Sequence, residues 1–218
     1  MGTREAQKEQ RERTSRILIQ AALELSAAQG YGSLSLRSVA RKAGIAPTSF
    51  YRHFRDLDEL GLAVVDQAQQ TFVQCLDKAR KRMSLPTAIP LSTPEDLSAS
   101  LNQMMRSWLE TLIDCVYGHG ELLRLFFQER TGSSPPLRKA ISAGIDRLTR
   151  NLAEDLERVG RQSGIRFQDA GATAEGVMTI ACAGARDELL GSAADQEDAI
   201  DGRTRKLGFL LLGSARRE

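Results

Sequence analysis

The chain has 218 residues, with 30 Lys/Arg against 28 Asp/Glu and 41% hydrophobic residues. These proportions are those of a soluble globular protein with a real core, not of a disordered or fibrous one. No apolar run approaches the roughly 20 residues that span a bilayer. The N-terminal stretch MGTREAQKEQRERTSR lacks the apolar segment of a secretory signal, so a cytoplasmic protein without a membrane partner is expected. Cys75, Cys115 and Cys182 are odd in number and set far apart among apolar residues, which predicts reduced, buried thiols.

In chain order, Met1 to about Gln10 reads as a polar arm. A first helix is predicted from about Gln7 to Gln29, with Ile17, Leu18, Ala21, Ala22, Leu25 and Ala28 at helical spacing and Gly30 and Gly32 closing it. The stretch LSLRSVARKAGIAPTSFYRHF, Leu34 to Phe54, then reads as two short helices. Ser35 suits the N-cap of the first, Leu36 to Ala43. Gly44 suits the left-handed residue after it, and Pro47 the first position of the second, which runs to about His53. Phe50 and Phe54, four apart, anchor that second helix, while Thr48, Ser49, Tyr51, Arg52 and His53 give it a hydrogen-bonding face. Two helices around a glycine-bearing turn make a helix-turn-helix. Charge supports the reading modestly. Ten basic and seven acidic residues up to Leu60 leave this end at +3 and the remainder at −1, the asymmetry that phosphate contact requires.

Downstream, Asp56-Leu57-Asp58-Glu59 predicts a capping box at the head of a long helix ending near Lys81. Pro86, Pro90 and Pro94 mark a loop over Met83–Thr93, with Thr93 capping the next helix. That helix carries Leu97, Leu101, Met104, Met105, Trp108, Leu109, Leu112 and Val116. Gly118-His119-Gly120 breaks it, and Glu121 to Arg130 forms a shorter helix. Leu137 to about Val159, Ala170 to Leu190 and Arg203 to Leu212 complete the series. No strand-period alternation is present, so the expected class is all-α. The expected division is 1–55, arm and helix-turn-helix domain, and 56–218, a helical ligand-binding and dimerisation domain.

Residues from about Arg13 to Leu62 resemble the DNA-binding domain of the TetR family of bacterial transcriptional regulators. The likeness lies in Ser35–Ala40, Ala43–Ala46, Ser49–Phe54 and Asp58–Leu60. Within that family, Ala46–Asp56 and Glu59–Leu62 resemble the repressors of unsaturated fatty acid synthesis, the FabR/DesT type, as does Glu129-Arg130-Thr131-Gly132-Ser133-Ser134. The resemblance implies a repressor of fatty acid or lipid metabolism genes, acting as a homodimer on a palindromic double-stranded operator. It implies no cofactor, but an effector such as a long-chain acyl-CoA. A TetR-like regulator answering to another lipophilic or drug-like molecule, as in efflux control, is the alternative.

By position, Thr48, Ser49, Tyr51, Arg52 and His53 would contact bases or phosphates, and Ser35 and Arg37 the DNA backbone. Arg11, Arg13 and Arg16 could add contacts, or form a solvated face paired with Glu9 and Glu12. The implied ligand cavity would draw on Met104, Met105, Trp108, Phe126, Phe127, Arg130 and Met178. Methionine and aromatic side chains repack around long apolar ligands, though each is equally at home in a core. Arg130 could meet a phosphate-bearing end or cap its helix. The small residues Gly176, Ala181, Ala183, Gly184 and Ala185 would permit close approach across a dimer two-fold. With two histidines and no metal-ligand spacing, phosphate loop or nucleophile elbow, an enzyme is not expected.

Overall fold

The computed structural model describes residues 2–82, 94–163, 165–191 and 196–217. Nine helices account for most of them: α1 Gly2–Gln29, α2 Leu36–Lys42, α3 Pro47–Phe50, α4 Leu57–Arg82, α5 Pro94–Gly118, α6 Gly120–Gln128, α7 Pro135–Ser163, α8 Ala170–Leu190 and α9 Gln196–Ser214. The all-α class holds, with one small addition. Strands β1 (Ile165–Phe167) and β2 (Ala215–Arg217) pair antiparallel, Arg166 opposite Arg216. Three residues are too few to print an alternation in a sequence, and the partners stand about fifty residues apart. The predicted loop over Met83–Thr93 and the cap at Thr93 lie outside the described residues.

Helix α1 begins at Gly2, so the expected polar arm is helical. Its first turns carry Glu, Gln, Lys and Arg, all strong helix formers, and Lys8 pairs with Glu12 one turn on at 3.9 Å. Without apolar residues such a segment gives no periodic signal, which is why it reads as an arm.

The chain divides into two compact units, residues 1–70 with 121–142, and residues 71–120 with 143–218. Helices α4 and α7 therefore contribute to both. In the first unit, α1 packs on α2 and on a 3₁₀ turn at Tyr31–Ser33. Leu18, Ala22, Val39, Ala40, Phe50 and Leu60 are fully buried there, as are Leu123, Phe126, Leu137 and Ile141 from α6 and α7. Gln69 Nε2 donates to the Ala140 carbonyl at 2.8 Å, joining α4 to α7 within this unit.

In the second unit α5, α8 and α9 pack on one another. Gly176 and Gly184 serve this packing. A Cβ at Gly176 would stand 2.6 Å from Leu210 Cδ2, and one at Gly184 3.1 Å from Arg203 Cδ. The close approach foreseen across a two-fold is thus used between α8 and α9 of one chain. Arg203 donates to both Asp187 and Glu188 at 3.2 Å, and Tyr117 Oη to Glu188 at 2.6 Å, so a buried carboxylate is paired twice. Arg106 reaches Glu110, Glu197 and Asp201. The expectation of three reduced thiols fails at two of them. Helices α4 and α5 bring Cys75 and Cys115 to a Cα separation of 5.5 Å, and they form a disulfide; Cys182 is free and buried. Their sequence separation of 40 hid a contact that neighbouring helices create.

Candidate nucleic-acid interface and ligand cavity

The turn between α2 and α3 is built as its residues dictate. Ser38 N donates to Ser35 Oγ and Ser35 N to Ser38 Oγ, both at 3.1 Å, a reciprocal cap on α2. Gly44 adopts φ +70°, where a Cβ would be strained. Pro47 starts α3, whose α-helical span ends at Phe50; Tyr51–His53 continue as turns, with His53 N donating to the Phe50 carbonyl at 2.8 Å. Phe50 is fully buried, 5.9 Å from the buried Phe54 ring. That anchoring turns the other side outward. Thr48, Tyr51 and Arg52 are exposed, Tyr51 to 62%, and neither Arg37 nor Arg52 forms an ion pair among the described residues. An exposed tyrosine beside an unpaired guanidinium on a short helix is a surface made for an external partner.

Two predicted contact residues have internal work. The Ser35 N–H and hydroxyl are both engaged by Ser38. His53, half-buried, shares a 3.2 Å hydrogen bond between its Nδ1 and Ser15 Oγ on α1. Burial lowers the His53 pKa, and the nearby Arg11 and Arg52 charges lower it further. Those two cations therefore converge where the recognition segment meets α1. Lys42 on α2 pairs with Glu24 on α1 at 2.8 Å, which leaves Lys42 less available to DNA.

Helix α4 starts as predicted at its cap, since Glu59 N donates to Asp56 Oδ1 at 2.8 Å. The return bond is shifted by one residue: Glu59 Oε2 accepts from Arg55 N at 2.6 Å. The turn Glu129–Ser134 belongs to this same unit. Ser134 Oγ donates to Asp58 Oδ1 at 2.8 Å, and Arg138 Nη1 to the Gly132 carbonyl at 2.6 Å. A Cβ at Gly132 would overlap the Glu129 carboxylate. Glu129 is 7% exposed, its Oε2 has no hydrogen-bond partner among the described residues, and burial raises its pKa.

The second unit holds a cavity of about 310 Å³. Its walls come from α4 (Val73, Leu76), α5 (Leu101, Met104, Met105, Trp108), α7 (Leu148, Leu152, Leu156), β1 (Phe167), α8 (Val177, Met178) and α9 (Leu211). Polar groups are few, and include Asp77, Arg80, Asp155 and Arg158. An apolar chamber with a few charged groups suits a lipophilic ligand.

Residues 18–64 match the family model of bacterial regulatory proteins of the tetR family. The chain is a TetR-family regulator. Solved structures extend the likeness of fold over nearly its full length. It is similar to a TetR-family transcriptional regulator from Streptomyces coelicolor, with TM-score 0.63 and 19% identity over 92% of this chain and 96% of that one. It is similar to the regulatory protein TetR from Rhodobacter sphaeroides, with TM-score 0.55 and 26% identity over 88% and 96%. It is also similar to Thermus thermophilus FadR, a TetR-family transcriptional repressor solved in complex with lauroyl-CoA, with TM-score 0.55 and 17% identity over 94% and 96%.

Of the residues expected around a ligand in this TetR-family regulator, Met104, Met105, Trp108 and Met178 line the cavity together. Phe126 and Phe127 do not; they are buried in the first unit, their rings 5.4 Å apart. Arg130 is exposed in the turn after α6, in that first unit as well. Aromatic residues on an apolar face carry no label distinguishing core from cavity. The missed wall residues Leu148, Leu152 and Leu156 had a signal, a spacing of four along α7, but it reads equally as plain packing.

Proposed function

We propose that this chain is a homodimeric repressor of fatty acid or lipid metabolism genes, of the FabR/DesT type, whose affinity for a palindromic operator is changed by a long-chain acyl-CoA or fatty-acid-like ligand. Reading of DNA belongs to residues 1–55, through Thr48, Ser49, Tyr51 and Arg52 on bases and phosphates, with Arg37 and His53 on the backbone. Ser35 acts there chiefly as the cap that orients α2. Ligand binding and dimerisation belong to residues 56–218, even though the compact units interleave across that boundary.

The observation that carries the ligand reading is the cavity, whose walls are aliphatic, thioether and indole. At about 30 Å³ per methylene-sized group, 310 Å³ holds roughly ten chain carbons. Each added carbon that stays inside tightens binding by about 0.8 kcal/mol, or about fourfold. The complex of the similar Thermus thermophilus FadR with lauroyl-CoA supports the same ligand class. For the dimer, the supporting observation is Phe209 on α9, 76% exposed beside the half-buried Leu210. A two-fold pairing would cover it and set two recognition helices against successive major grooves. Coupling of about 1–3 kcal/mol between ligand and operator would change affinity about 5–150-fold.

The test is a gel-shift and thermal-shift series with saturated and unsaturated acyl-CoAs of increasing chain length. The expected result is an operator affinity that moves with acyl chains and a melting temperature that climbs with length until the cavity fills. A response to unrelated hydrophobic compounds alone would transfer the function to the drug-like alternative.

A further inference from the structure

Three charged residues at the cavity have a geometry the apolar walls do not explain. Arg80 Nη1 donates to Asp155 Oδ2 at 2.8 Å, and Arg158 Nη2 donates to the other oxygen, Asp155 Oδ1. One carboxylate from α7 thus holds a guanidinium from α4 and one from its own helix, one turn on. All three residues line the cavity, while the arginine side chains remain 50% and 47% exposed. They therefore stand where the apolar chamber meets solvent.

We propose that Arg80 and Arg158 form an anion-receiving rim, so that the ligand is a single-chain anionic amphiphile with its tail in the cavity and its head on the two guanidinium groups. This rests on the acyl-ligand reading above and narrows it. Each guanidinium carries five N–H donors in a planar fork. Asp155 occupies a minority of them, so donors remain for a carboxylate or phosphate oxygen. Asp155 also holds the two planes side by side before any ligand arrives, which lowers the ordering cost of binding. Exposed pairs of this kind contribute at most about 1 kcal/mol to stability, so exchanging part of the Asp155 bonding for a ligand oxyanion costs little. Asp77, one turn before Arg80 on α4, also lines the cavity and balances the formal charge of the group. Selectivity for an anion then comes from directed donors, not from net positive charge. The Arg130 side chain, expected from the sequence to meet such a head group, lies in the other unit.

The experiment uses the full chain and its single tryptophan, Trp108, which lines the cavity and reports occupancy by fluorescence. Palmitoyl-CoA, palmitate and hexadecanol carry the same length of chain with a phosphorylated head, a carboxylate and no charge. The wild type is expected to bind at least one of the two anions about tenfold more tightly than hexadecanol. Which anion benefits distinguishes a thioester's phosphates from a free carboxylate. In Arg80→Gln/Arg158→Gln that preference should vanish while hexadecanol affinity stays unchanged. If the double variant keeps the preference, or weakens all three probes equally, the rim assignment is overturned and the acyl-ligand reading stands. If none of the three perturbs wild-type Trp108 or binds by calorimetry, both are overturned.

Discussion

Gly61 sets two effects of opposite sign against each other. It lies in the second turn of α4 and is buried. Glycine within a helix costs about 1 kcal/mol relative to alanine, so propensity alone predicts that Gly61→Ala stabilises. The structure predicts the reverse. A Cβ there would stand 2.5 Å from Tyr31 Oη, 2.8 Å from Tyr31 Cζ and 2.9 Å from Leu137 Cδ1. Tyr31 cannot simply step aside, because it is buried and its hydroxyl donates to the Leu57 carbonyl. Overpacking of this kind costs about 1–3 kcal/mol, and a displaced Tyr31 gives up a hydrogen bond and leaves a buried hydroxyl, about 1 kcal/mol more. Subtracting the propensity gain leaves a net loss of about 1–3 kcal/mol, or at least about 4 °C in melting temperature for a unit of this size. Urea and thermal denaturation of the full chain would measure it, and Leu137→Ala should recover part of the loss in the double variant. A Gly61→Ala protein more stable than wild type would refute the contact and the packing of Tyr31 on α4.

Two further outcomes are expected. The His53 pKa lies below its ordinary 6.5 because burial and the Arg11 and Arg52 charges disfavour the imidazolium. The unfolded chain then takes up the proton first, so this group's stability is complete above 6.5 and is lost as pH falls towards the folded value. Wild type should therefore lose more stability than His53→Gln between about pH 7.5 and about pH 5.5, and equal slopes in denaturation would contradict it. The Cys75–Cys115 bond spans 40 residues, for which chain entropy predicts up to about 4 kcal/mol. A dithiol should lower the melting temperature of wild type and leave Cys75→Ser/Cys115→Ser unmoved.

The elements that sequence alone resolves are those whose signals are local. Gly44 at positive φ, the Ser35 cap, Pro47 at a helix start and the Phe50/Phe54 pair each act within a few residues, and each is where the residues place it. Length and contact are harder to see. Helix α9 starts at Gln196, well before the apolar stretch that announces it, because Glu197 and Asp198 suit a first helical turn without any apolar period. The Glu129–Ser134 turn was singled out by resemblance, yet only the bonds to Asp58 and within the turn reveal that it braces the head of α4. The cavity's methionines and tryptophan were visible as residue types. Its charged rim was not, since Arg80 sits in a basic run and Asp155 in an ordinary amphipathic helix, and only the fold brings them to 2.8 Å.

The central claim is that the exposed face of α3 and the turn after it reads DNA. Wild-type protein would first select a palindromic site from fragmented genomic DNA. The measurement is then the affinity of Tyr51→Ala/Arg52→Ala for that site. Both side chains are exposed and the buried Phe50 and Phe54 are untouched, so melting temperature should not change. Two lost contacts at about 1 kcal/mol or more each predict a loss of at least about thirtyfold. Operator binding equal to wild type, from a variant that melts like wild type, would contradict the account.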